Sequence, residues 1–129
     1  MPHTDLTTLW TATAAQSAPT DATLPTADTA DADANGVRGS SFKIELDGIV
    51  TSSTATAVVD LYFWDPRRPA WSKSDVQITL SFSGTTRGPA SRRTYEVAGI
   101  APYGAICPVC SSITGSIGAS LICRVAAVR

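Results

Sequence analysis

The 129-residue chain has one histidine, one methionine and three cysteines. A single histidine at position 3 leaves general acid–base catalysis poorly supplied, and no GxSxG, HExxH or phosphate-loop pattern occurs. An odd cysteine count argues against a disulfide framework and fits synthesis in a reducing compartment. The apolar runs fall well short of the roughly 20 residues a spanning helix needs, so no membrane segment is expected. No basic region followed by an apolar one opens the chain, so no signal peptide is expected. Heptads and long helical periods are missing as well.

The first 37 residues lack both lysine and arginine. They carry Asp5, Asp21, Asp28, Asp31 and Asp33, a formal charge of −5 with His3 neutral, whereas residues 38 to 129 hold all ten basic residues against six acidic ones, or +4. Within this leader, TLPTADTADADANGVRG is almost entirely Ala, Asp and Thr, with no apolar side chain larger than Leu24 before Val37. Such a tract buries too little surface to offset the entropy of ordering it. An extended N-terminal arm over 1–37 and a body over 38–129 are therefore expected. Residues 14 to 37 should lack regular secondary structure and be ordered by other chains, with Leu6, Trp10 and Leu24 as apolar anchors. Asp21, Asp28, Asp31 and Asp33 would then pair with arginines such as Arg67, Arg68, Arg92 or Arg93.

Alternation with a period of two dominates the body. Phe42, Ile44 and Leu46 share one face, with Lys43, Glu45 and Asp47 on the other. The series Ala55, Ala57, Val59, Leu61, Phe63 and Val76, Ile78, Leu80, Phe82 repeat the pattern. Further strands are expected at Arg92–Ile100, Ala105–Thr114 and Ala119–Val128, with a weaker one in DLTTLWTATA. Turn residues separate them: Asp47-Gly48, Asp65-Pro66, Gly84, Gly88-Pro89, Pro102 with Gly104, and Gly115 with Gly118. Six or seven short strands at this spacing read as an all-β, antiparallel β-sandwich or jelly-roll-like domain. Its expected core is Phe42, Ile44, Leu46, Val59, Leu61, Phe63, Ile78, Leu80 and Phe82.

Cys107-Pro-Val-Cys110, with Cys123 and His3, contains the donor types of a tetrahedral zinc set. Its remaining ligands are single, and His3 lies more than a hundred residues upstream. Buried thiols suit the strand context better than zinc or a disulfide, and no metal or cofactor is expected. A strand setting also lacks the helix N-terminus that would activate a redox CxxC. Asp60 and Glu96 are a conceivable carboxylate pair, but solvated strand-face charges are the simpler reading, and no enzyme is expected.

Trp64-Asp-Pro-Arg-Arg-Pro-Ala-Trp71 is the most distinctive loop. Arg67 and Arg68 stand between two prolines, with Trp64 and Trp71 flanking them. Arginine and tryptophan are frequent interface anchors. The body's +4 falls short of a nucleic-acid groove, and two tryptophans as a sugar platform or as ordinary sheet packing are the other readings.

Two segments, APTDATLPTADTADADANGVRGSSFKIEL and VVDLYFWDPRRPAWSKSDVQITL, together resemble small β-rich virion structural proteins of tailed bacteriophages. The resemblance spans roughly residues 18 to 82. It implies a non-enzymatic role on a capsid or tail in many copies, assembled in the host cytoplasm, and it implies no catalytic residues. The expected partners are other virion proteins and copies of this chain as a homo-oligomer, without nucleic acid or membrane. A capsid decoration or cement protein is the leading expectation. A neck or tail adaptor, a fibre component, or a carbohydrate- or receptor-binding module are the alternatives.

Overall fold

A computed structural model describes residues 6–17, 37–38, 41–65, 67–68, 70–98, 105–115 and 118–128, except for the side chains of residues 7, 37, 38 and 128. Eight strands lie among them: β1 Thr7–Ala12, β2 Val37–Arg38, β3 Ser41–Ile49, β4 Ala55–Asp65, β5 Ala70–Phe82, β6 Arg92–Val97, β7 Ala105–Gly115 and β8 Ser120–Val128. One 3₁₀ turn, Pro89–Ser91, precedes β6. Among the described residues no helix is long and apolar enough to cross a membrane.

The strands form two antiparallel four-stranded sheets, ordered β1-β8-β3-β6 and β2-β7-β4-β5. The pairing is nested: β1 with β8, β2 with β7, β3 with β6, and β4 with β5. Two further ladders, β3–β8 and β4–β7, complete the sheets. The chain changes sheet at every connection except the β4–β5 hairpin. An all-β sandwich is thus the architecture.

The period of two explains why the sheets face each other. Phe42, Ile44 and Leu46 of β3, Val59 and Leu61 of β4, and Ile78, Leu80 and Phe82 of β5 are all buried in one core cluster. Phe63 is half-buried and packs against that cluster. From β8 the same core receives Leu121, Cys123, Val125 and Ala127. Burying a side chain of this kind stabilises the fold by about 1.5–3 kcal/mol.

Two expectations need correction. Val76 was expected on the core face with Ile78, yet it is 46% exposed. The β4–β5 register runs Asp60↔Gln77 and then Tyr62↔Lys73. Leu61 alone therefore faces Ser74, Asp75 and Val76, and this bulge leaves Val76 out of the ladder with β4 and uncovered. The second correction concerns the arm. The strand expected in DLTTLWTATA is present as β1, residues 7–12, but it is an edge strand of the sandwich, with Leu9 and Ala12 buried in the core, and so belongs to the body. Val37 also lies in a strand, β2. Residues 18–36 lie outside the described residues.

After β1, the chain continues along β7, where among the described residues β2 pairs with Ala105 and Ile106 only. The Trp10 indole N–H donates to the Pro108 carbonyl at 2.9 Å. The Gln16 N–H donates to the Cys110 carbonyl at 2.7 Å, and the Cys110 N–H donates to Gln16 Oε1 at 2.9 Å. A proline inside a strand removes a ladder donor. Here Gln16, four residues after β1, pairs with β7 at Cys110, two residues past that proline.

Candidate interaction surface

The β4–β5 hairpin carries the residues singled out above. Trp64 and Trp71 are directly paired in its register. Their rings meet edge to face, with centroids 5.5 Å apart and planes at 79°, an arrangement favoured by the aromatic quadrupole. Trp64 is only 5% exposed, and Trp71 has a buried indole N–H without a hydrogen-bond partner. The two rings therefore brace the hairpin, and Trp64 is no open platform beside its tip.

Asp65 organises the tip. Its carboxylate accepts the Arg67 N–H at 3.0 Å, and its carbonyl accepts the Arg68 N–H at 3.3 Å. An aspartate bonded two residues ahead closes an Asx turn. Both guanidinium groups stay near that carboxylate, at 3.7 Å for Arg67 and 3.5 Å for Arg68, while their side chains are 91% and 78% exposed. Exposed pairs of this kind hold weakly. The tip thus offers two solvent-facing guanidinium groups against one carboxylate.

Further along the same outer face, Asp60 is 3% exposed. Gln77 Nε2 donates to it at 2.7 Å, and Lys73 Nζ lies 3.5 Å away. The Gln77 hydrogen bond, helped by Ser111 and Lys73, holds its carboxyl below the usual range despite burial. Glu96 stands on β6 in the other sheet, so the pair considered from the sequence is not brought together.

The densest charge network was not legible as such. Asp47 alternates with core residues and belongs to the outer face of β3, yet it is fully buried. Ser91 Oγ donates to it at 2.7 Å, Arg87 and Arg124 approach to 3.3 and 3.2 Å, and Arg92 to 3.6 Å. Arg124 also bonds Glu45 at 2.7 Å. Burial raises the Asp47 pKa, but Ser91, Arg124 and Arg87 outweigh it and leave the group below its ordinary value. The network clamps the segment before β6 onto the first sheet.

Cys107, Cys110 and Cys123 are buried free thiols. Burial pushes the Cys107 pKa up to about 12 and raises Cys110 and Cys123 as well. Among the described residues no group of three or more His, Cys, Asp or Glu side chains is placed to hold a metal. His3, Leu24, Asp28, Asp31 and Asp33 lie outside the described residues. Leu6 is 37% exposed, and Trp10 packs half-buried on the chain's own core. Of the arginines proposed for the arm, Arg92 faces Asp47, and Arg93 donates to the carbonyls of Ala90 and Arg92. Comparison with known proteins finds no matching family model, no matching curated protein and no matching solved structure.

Proposed function

We propose that this chain is a non-enzymatic structural protein of a virus particle, a decoration or cement protein on a tailed-phage capsid, with copies joining neighbouring subunits through the acidic leader and the arginine tip. The observation that carries this reading is the nested pairing of eight strands. We read that wiring as a jelly roll, a hairpin of eight strands wrapped into two facing sheets, an architecture shared by viral capsid domains, lectins and cupins. Fold alone does not assign function, so the side chains must choose among these. A lectin reading draws no support from the tryptophans, because Trp64 is buried. A cupin-type metal centre draws none from a sequence with one histidine. The exposed Arg67–Arg68 tip and the −5 leader suit contact with other protein surfaces.

The test is mass spectrometry of purified particles made by the genome that encodes this chain, followed by cryo-electron microscopy. The expected result is the chain at a fixed ratio to the major shell protein, seated on the outer capsid surface. Its absence from the particles would overturn the proposal; its presence in the neck, tail or fibre would move the role there.

A further inference from the structure

Four strands end the two sheets, and three of them are short or charged. Among the described residues β1 has six, β2 has two, and the six of β6 include Arg92, Arg93 and Glu96. The fourth, β5, has 13 residues and, among the described residues, pairs on one side only, with β4. Exposed edges are usually blunted by charge, proline or bulges. From Val76 to Thr86 this segment has neither a charged residue nor a proline. Its one irregularity is the bulge at residues 74–76, which leaves Val76 46% exposed. A groove of about 290 Å³ lies beside the other end of the strand, between the β5 and β6 edges, lined by Gly48, Leu80, Phe82, Ala90 and Arg93 among others.

We propose that the β5 edge is a self-association site at which two copies pair antiparallel over residues 76–82, about a two-fold axis through Thr79. The knob and the hole point to a second copy as the occupant. Val76 and Phe82 stand three residues either side of Thr79, so a two-fold there sets Val76 of each copy beside Phe82 of the other. Val76 would thereby be covered at the groove. Ile78 meets Leu80 on the core side, and Gln77 meets Ser81 on the outer side, so the two paired strands place no charge of their own in the junction, and Arg93 lines the groove beside it. Two-fold contacts must be self-complementary in this way. The second sheets, four strands each, would become one sheet of eight. This pairing does not depend on the virion reading, because it is a property of the free chain.

The experiment is sedimentation velocity on the purified full chain from about 1 to 500 µM, a range that covers micromolar association. Wild type is expected to dimerise within it. Thr79 is exposed, so Thr79→Lys and Thr79→Glu leave the core intact, and circular dichroism checks their folding. Each variant sets like charges against each other across the axis and should stay monomeric, while an equimolar mixture should recover the dimer. Val76→Asn, at the exposed bulge, should weaken dimerisation at least about fivefold. A wild type that remains monomeric throughout, single variants that dimerise like wild type, or a mixture that stays monomeric would overturn the proposal.

Discussion

The ring of Phe82 occupies the space where a side chain on Gly48 would stand: a Cβ there would lie 2.7 Å from the ring. The two residues belong to facing sheets, so this close approach sets the local separation at the open side of the sandwich. Gly48→Ala should destabilise the chain by about 1–3 kcal/mol, the usual cost of overpacking a core. Urea denaturation would measure it, and adding Phe82→Leu should recover part of the loss, since residues in contact are not additive.

Asp47→Asn leaves Arg87, Arg92 and Arg124 around an uncharged group. Breaking a buried pair costs about 3–5 kcal/mol, and the network is expected to fall near the lower end because Glu45 still holds Arg124. The folded-state pKa of Asp47 lies below its unfolded value near 3.8. Its contribution is therefore complete above that value and is lost as pH falls through the lower folded pKa. Denaturation midpoints between pH 2 and 6 should show an acid limb in wild type that is shallower in the asparagine variant.

β1 makes the leader part of the fold. Leu9→Ala should cost about 2–5 kcal/mol if its cavity relaxes little, and removing residues 1–12 should abolish cooperative unfolding. Loss of the Trp10–Pro108 bond in Trp10→Phe should cost about 1 kcal/mol. Thermal melts of the three variants check this ordering. A truncated chain that melts like the full one would contradict the role of β1.

Burial and raised pKa values make the three thiols poor nucleophiles. Ellman's reagent at pH 8 should find close to no reactive thiol in the native chain, and the full three after denaturation in guanidinium.

Arg67→Glu with Arg68→Glu changes two exposed side chains, so stability should move by no more than about 0.5 kcal/mol. Under the virion reading, co-sedimentation with particles should fall at least about tenfold. The same variant melting normally and binding normally would remove the tip from the contact surface.

Strand identity was legible because alternation is a local property. In Phe42-Lys43-Ile44-Glu45-Leu46 each side chain's face follows from its neighbours two positions away, so eight of the nine expected core residues are buried and the ninth, Phe63, packs against them. The same rule put Asp47 on a solvent face and Val76 on a core face, and tertiary structure buries the first and leaves the second exposed. Asp47 is hidden because Ser91, 44 residues later, and three arginines fold over it. Val76 is left uncovered at a bulge that exists only in the register with β4. Trp10 finds Pro108 across 98 residues of chain, and no local pattern encodes that distance. Composition and periodicity thus determined most of the strand segments, though not β2, and which side of most of them is apolar. Which strands are neighbours, and what covers each outer face, was decided by contacts between distant segments, whose energies depend on the whole packed sandwich.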